Sequence, residues 1–147
     1  MKTAGSNKQY SILLLDDDSL VVNSLARVLR YNKYDVSICR DPIAAVSLCE
    51  KMQFDLIITD QRMPIMTGIE FASKVRLQQP GARIVLISGY NDYVPVIEAF
   101  NSETIHRFVF KPWSNDVFVD IVQEQLEVAT EGIWVRNGAD FLKDDSD

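Results

Sequence analysis

The sequence predicts an α/β fold in which helices cover both faces of a parallel β-sheet. Short apolar runs alternate along the chain with longer stretches whose apolar residues recur at helical spacing, and this alternation is typical of β-α-β units. Four of the apolar runs also stop at a residue with a carboxylate, hydroxyl or ammonium group. If these runs are parallel strands of one sheet, their carboxyl ends lie along one edge, where open α/β sheets place their ligand sites.

The elements follow this pattern in order. Strands are predicted near 11–15, 35–39, 55–59, 84–87 and 107–110, and helices near 19–31, 42–52, 68–79, 94–101 and 114–131. Two helix starts carry capping signals: Asp41 is an N-cap followed by Pro42 at the first helical position, and Thr67 forms a capping box with Glu70. The fourth helix is expected to begin near 94, which leaves 89–93 either as a functional loop or as an ordinary surface turn.

The chain of 147 residues is predicted to form one domain over residues 10–132. Residues 1–9 are predicted to be a disordered N-terminal segment. Residues 133–147 are predicted to be a linker or docking segment, because an Asn137-Gly138 turn signal lies between apolar flanks that contain Trp134 and Phe141. A lone hairpin of this kind is barely stable in water, so we expect it to need a partner surface.

Composition excludes several classes of protein. A net charge of −6 and a pI near 4.7 disfavour direct nucleic-acid binding, which normally needs a basic surface. No apolar run approaches the roughly 20 residues that a membrane span requires, and the N-terminal residues lack the apolar segment of a secretory signal. We therefore expect a cytoplasmic protein that contacts neither nucleic acid nor membranes directly, and if DNA is the final target, another domain reaches it.

The polar residues at the strand ends predict a site for phosphoryl chemistry. Asp16 and Asp17 follow the first strand, Asp60 ends the third, Ser88 follows the fourth and Lys111 follows the fifth. Three converging carboxylates repel one another and favour a hard divalent cation, and Mg²⁺ prefers such oxygen ligands together with phosphate oxygens. Lysine and serine can hold the phosphate, and Asp60 is the candidate nucleophile that would form an aspartyl phosphate.

The chain resembles the receiver domain of two-component response regulators, including the chemotaxis regulators, over roughly residues 10–130. Four stretches carry the resemblance: Leu13-Leu14-Leu15-Asp16-Asp17-Asp18, Ile57-Ile58-Thr59-Asp60-Gln61-Arg62-Met63-Pro64-Ile65-Met66-Thr67-Gly68, Leu86-Ile87-Ser88-Gly89-Tyr90 and Phe110-Lys111-Pro112-Trp113. The resemblance implies a flavodoxin-like, doubly wound sheet of five parallel strands in the order 2-1-3-4-5.

The resemblance also implies roles for the acidic residues. Asp60 matches the residue that accepts the phosphoryl group from a sensor histidine kinase or a phosphotransfer protein. Asp17 matches a direct Mg²⁺ ligand, Asp16 matches an acid that acts through water, and Asp60 with the backbone carbonyl of Arg62 completes the protein's share of the metal site. Asp18 is instead expected to cap the first helix.

Further roles follow from the same resemblance. Lys111 matches the lysine that contacts the phosphate, and its bond to Pro112 is expected to be cis. Ser88 and Phe108 match the hydroxyl and aromatic residues that switch with phosphorylation. Trp113 gives the Lys-Pro-Trp sequence of a subtype whose outputs include enzymes such as cyclic-dinucleotide phosphodiesterases. A homodimer, in which a second copy of the chain covers residues 133–142, is the alternative to such an output domain.

Two alternative functions remain open at this point. One is a Mg²⁺-dependent phosphohydrolase of the haloacid dehalogenase class, which the run Asp16-Asp17-Asp18 loosely resembles. The other is an interaction module with a receiver fold that is never phosphorylated. The preferred interpretation is a regulatory phosphoacceptor rather than an enzyme. Slow self-dephosphorylation is expected, because Arg62 and Tyr90 are bulky and offer no group that orients an attacking water.

Overall fold

The computed structural model describes residues 9–131, which form a five-stranded parallel sheet between two layers of helices. The elements, in chain order, are β1 (Ser11–Leu15), α1 (Ser19–Tyr31), β2 (Asp35–Cys39), α2 (Pro42–Lys51), β3 (Leu56–Asp60), α3 (Gly68–Val75), β4 (Arg83–Ser88), α4 (Tyr93–Asn101), β5 (Arg107–Phe110) and α5 (Asn115–Glu131). The strand order is β2-β1-β3-β4-β5 with every neighbouring pair parallel. The predicted α/β class and the order 2-1-3-4-5 are confirmed.

The sheet separates two apolar clusters. One face packs against α1 and α5, whose buried side chains include Leu29 and Phe118. The other face packs against α2, α3 and α4, with Phe71 of α3 fully buried. Because both faces are covered, the central strand β3 is buried along its whole length, and Asp60 at its end lies within the protein rather than in solvent.

Local capping fixes where three helices begin. The side chain of Asp18 accepts hydrogen bonds from the second and third residues of α1, and Asp41 does the same for α2, with Pro42 at the first helical position. Thr67 and Glu70 form the reciprocal capping box at the start of α3. All three starts agree with the sequence prediction.

The largest differences from the prediction lie at the end of α3 and in the loop before α4, while several other element ends differ by one residue. The third helix ends at Val75 rather than near 79, because the side chain of Gln79 is fixed by tertiary contacts: it accepts the Phe54 N–H and donates to the carbonyls of Cys49 and Met52. The predicted loop 89–93 contains a 3₁₀ turn, Tyr90–Asp92, that leads directly into α4 at Tyr93.

Three predictions fall partly or wholly outside the described part of the chain. They concern the N-terminal segment 1–9, of which the structure describes only residue 9, the boundary at Gly132, and the linker or docking segment 133–147. Within residues 9–131, no helix is both long and apolar enough to cross a membrane.

Candidate functional site

The predicted site residues lie at the carboxyl edge of the sheet. Asp16 directly follows β1, Asp60 is the last residue of β3, Ser88 is the last residue of β4 and Lys111 directly follows β5. Since β1, β3, β4 and β5 are consecutive in the sheet, their ends bring these four side chains to one region. The site therefore depends on the strand order and not on nearness in sequence.

A short contact joins Lys111 to Asp60. The Lys111 Nζ atom lies 2.8 Å from Asp60 Oδ1, and Asp60 is only 4% exposed. Burial raises the pKa of the Asp60 carboxyl above its ordinary value, although the hydrogen bond and positive charge of Lys111 oppose this shift. Burial also disfavours the Lys111 ammonium, but the contact with Asp60 raises its pKa overall. The Lys111–Pro112 peptide bond is cis, as expected.

Three carboxylates form a compact acidic cluster. Asp16, Asp17 and Asp60 each offer an oxygen, and these oxygens lie within 4.8 Å of one another. Burial raises the pKa of Asp16 to about 6, with the nearby charge of Asp60 adding to the shift and a hydrogen bond from the Asp18 N–H opposing it. Asp18 itself is turned away as the cap of α1. The cluster thus contains the three acids that were predicted to bind the metal, and it does not include Asp18.

The turn after β3 holds the backbone of Asp60 closely. A Cβ atom on Gly68 would lie 2.3 Å from the Asp60 carbonyl oxygen, so only glycine allows α3 to begin at this position. The Gly68 N–H donates to the Gln61 carbonyl, and the buried Gln61 side chain accepts the Ile69 N–H. These contacts fix the end of β3 and hence the place of the Asp60 carboxylate.

The sequence did not reveal the surroundings of Ser88. The buried Ser88 hydroxyl lies 3.2 Å from the Gly89 carbonyl oxygen and 3.5 Å from Asp92 Oδ2. Asp92 is 6% exposed and receives two hydrogen bonds from the guanidinium of Arg62. The only sequence signal for this contact is an acidic residue four positions after Ser88, inside the predicted loop 89–93.

Phe108 lies in a row of aromatic side chains. It is half-buried and packs edge-on against Phe100 of α4, with ring centres 5.3 Å apart. Next to it, Phe110 stacks on Tyr90 at 4.5 Å and on Tyr93 at 5.8 Å. The row connects β5 with the 3₁₀ turn and with α4. Because these side chains are packed against one another, a movement of β5 would displace the 3₁₀ turn and α4.

The chain is similar to curated transcription regulators and to a solved receiver structure. It is 33% identical over 122 residues to the hydrogenase transcriptional regulatory protein HoxA of Cupriavidus necator, a match covering 83% of this chain and 25% of that protein. It is 28% identical over 123 residues to the alginate biosynthesis transcriptional regulatory protein AlgB of Pseudomonas aeruginosa, covering 84% and 27%. A CheY-like response regulator receiver domain protein from Methanospirillum hungatei shares the fold, with a TM-score of 0.80, 22% identity and coverage of 85% and 99%.

These relatives correct one prediction. The exclusion of nucleic acid from the partners is wrong, because HoxA and AlgB are transcriptional regulatory proteins. The exclusion came from the acidic charge of this chain, yet the chain spans about a quarter of the length of these curated relatives. The charge of one domain says nothing about the surface of another domain in the same protein.

A protein-family model covers most of the chain. The model of the response regulator receiver domain family matches residues 12–123, which include every predicted site residue. Receiver domains of transcriptional regulators such as HoxA act as regulatory domains and not as enzymes. The chain therefore belongs to the response regulator receiver domain family of two-component systems.

Proposed function

We propose that this domain accepts a phosphoryl group on Asp60 from a sensor histidine kinase or a phosphotransfer protein. The observation that carries the proposal is the contact of 2.8 Å between Lys111 Nζ and Asp60 Oδ1, beside two further carboxylates at the same sheet edge. An ammonium in this position favours the ionised form of the Asp60 carboxylate and opposes the effect of burial on its pKa, and an ionised oxygen is the form that attacks phosphorus.

The transfer is a substitution at phosphorus. An Asp60 carboxylate oxygen forms a bond to the phosphorus of a phosphohistidine, the P–N bond breaks, and its electron pair returns to the imidazole of the donor. Lys111 balances negative charge on the phosphoryl oxygens, and the Ser88 hydroxyl donates a hydrogen bond to one of them. The chain itself supplies the nucleophile and both of these groups.

The acidic cluster fits Mg²⁺. We propose Asp16, Asp17 and Asp60 with the Arg62 backbone carbonyl as the protein's share of the ligands, Asp16 acting through water. Hard divalent cations bind carboxylate oxygens, and a cation here offsets the mutual repulsion that helps raise the pKa of Asp16. When bound, Mg²⁺ supplies positive charge that stabilises the phosphoryl oxygens.

The consequence of phosphorylation is proposed to reach the surface through Ser88 and Phe108. Phe108 contacts Phe100 of α4, and the neighbouring Phe110 contacts Tyr90 and Tyr93, so β5 and α4 respond together. Because the curated relatives are transcriptional regulatory proteins, we propose that the responding partner is an output that controls transcription. 

The remaining details stay predictions. They are the domain limits 10–132, the Lys-Pro-Trp subtype, the slow self-dephosphorylation and the cytoplasmic location. The haloacid dehalogenase alternative loses its support from the sequence, because the Asp18 carboxylate that the D-x-D motif needs in the cleft caps α1 instead. The other alternative, an interaction module that is never phosphorylated, is distinguished from the proposed function by the phosphorylation experiment described next.

Intact mass spectrometry after incubation with Mg²⁺ and acetyl phosphate tests the proposal. The native chain is expected to gain one phosphoryl group, and Asp60→Asn is expected to gain none. Asp18→Asn is the matched control, because it removes one negative charge at the same sheet edge while keeping a side chain that caps helices. Equal phosphorylation of Asp60→Asn would refute the assignment, and an unmodified native chain would favour the interaction module.

A further inference from the structure

The carboxylate of Asp92 does not cap the helix that it precedes. Asp92 directly precedes α4, where an aspartate normally accepts backbone N–H groups of the first turn, but its side chain makes no capping hydrogen bond. The carboxylate is buried and turned toward the loop that follows β3. A buried charge without such a cap needs another partner, and that partner comes from a different loop.

The partner is Arg62, two residues after Asp60. Its Nε donates to Asp92 Oδ2 at 2.9 Å and its Nη2 donates to Asp92 Oδ1 at 2.7 Å, so the two planar groups meet through two parallel hydrogen bonds. The Arg62 side chain is 68% exposed while that of Asp92 is 9% exposed. The pair joins the loop after β3 to the turn before α4.

The Ser88 hydroxyl lies beside the same carboxylate. A hydroxyl has one hydrogen, and the acceptors within reach of Ser88 Oγ are the Gly89 carbonyl oxygen at 3.2 Å and Asp92 Oδ2 at 3.5 Å. If Ser88 donates to a phosphoryl oxygen on Asp60, it must leave both of these acceptors. The movement of Ser88 therefore removes one of the contacts that Asp92 makes in this conformation.

We propose that the Arg62–Asp92 ion pair holds the Ser88 region and the start of α4 in the conformation seen here, and that phosphorylation of Asp60 weakens this pair. The inference rests on the proposed function of Asp60. Asp92 belongs to the 3₁₀ turn whose Tyr90 stacks on Phe110, so releasing Asp92 also frees the aromatic contact with β5. Arg62 and Asp92 are thus positioning residues that set how readily the domain switches.

The pair is expected to oppose binding of a phosphoryl group. A ligand that binds only the switched conformation has an apparent affinity reduced by the fraction of molecules in that conformation. Removing the Arg62–Asp92 pair, which stabilises only the conformation seen here, raises the fraction of molecules in the switched conformation. Arg62→Gln is therefore expected to bind beryllofluoride, a phosphoryl analogue, about fivefold or more tightly than the native chain, within the usual range of coupling between sites.

Calorimetric titration with beryllofluoride in the presence of Mg²⁺ measures this effect. Asp92→Asn is expected to tighten binding like Arg62→Gln, and the double variant is expected to bind no more tightly than the stronger single variant, because both changes remove the same pair. Arg27→Gln is the matched control: it removes one positive charge from an exposed position on α1 and should leave the affinity unchanged.

Three results would overturn the inference. Unchanged affinity in Arg62→Gln, with only a lower melting temperature, would assign the pair a purely structural role. Weaker binding in Arg62→Gln would make Arg62 a ligand of the phosphoryl group and not a restraint. A native chain that fails to bind beryllofluoride would refute the proposed function together with this inference, whereas native binding with unaltered variants refutes the inference alone. Because the Arg62 side chain is largely exposed, its variant tests the inference even if Asp92→Asn does not fold.

Discussion

The protonation of His106 is expected to control much of the stability of this domain in acid. His106 is the only histidine in the chain and directly precedes β5. Its Nδ1 accepts the Ile84 N–H at 2.9 Å, and its own backbone N–H donates to the Ile84 carbonyl at 2.8 Å. A protonated Nδ1 cannot accept a hydrogen bond, so protonation must break the hydrogen bond from the Ile84 N–H to the His106 side chain.

The structure sets the sign and size of this effect. Burial, with smaller contributions from the positive charges of Arg83 and Arg76, lowers the pKa of His106 from 6.5 to about 4. The unfolded chain therefore binds the proton first as the pH falls. The stability that neutral His106 contributes is complete above the unfolded pKa and is lost between about pH 6.5 and 4, and the loss is about 2 kcal/mol between pH 7 and 4.5.

Urea unfolding followed by circular dichroism between about pH 7 and 4.5 provides the assay. His106→Asn is the matched variant, because its amide oxygen can accept the Ile84 N–H and cannot be protonated in this range. Subtracting the two curves removes the contributions of Asp16 and Asp60, whose raised pKa values favour the folded state in acid and are common to both proteins. Parallel curves for the native and variant chains would refute the reasoning.

Three further predictions concern single side chains. Ile65 has a φ of 78° and is 78% exposed, so Ile65→Asn should stabilise the domain by about 1 kcal/mol in urea unfolding; a loss of stability would contradict the assignment of strain. Gln79→Ala should destabilise it by about 3 kcal/mol in the same assay, since buried backbone groups of three residues lose their partner; a change near zero would mean that water replaces the side chain. Gly68→Ala should slow phosphorylation by acetyl phosphate about tenfold or more, because its Cβ displaces the Asp60 carbonyl; a native rate would show that the backbone adapts without moving the carboxylate.

The fold was predictable because local and global signals agree. The apolar runs, the caps at Asp41 and Thr67 and the proline at the start of α2 each define a boundary by local chemistry, and the structure has all of them. The end of α3 was not predictable, because it depends on Gln79 reaching backbone groups some 25 to 30 residues earlier in the chain. Local periodicity contains no information about such a contact.

The sequence was sufficient to predict which residues form the site and at which edge of the sheet they lie. Parallel strands bring their carboxyl ends together, so the approach of Lys111 to Asp60 follows from the strand order. The Arg62–Asp92 pair was not predictable, since an aspartate before a helix has a local use as a cap and its side-chain direction is decided by tertiary packing. The error about nucleic acid arose because the exclusion rested on the acidic charge of this chain alone, and the charge of one domain does not decide which partners another domain contacts.

The covalent position of the phosphoryl group tests the account most directly. The native chain is phosphorylated with acetyl phosphate and Mg²⁺, the acyl phosphate is reduced with borohydride, and the resulting peptides are sequenced by mass spectrometry. Reduction converts a phosphorylated aspartate to homoserine, and the account predicts this residue at position 60 alone. Homoserine at position 16 or 17, or unmodified aspartate at all three positions, would contradict the assignment of Asp60 as the phosphoacceptor.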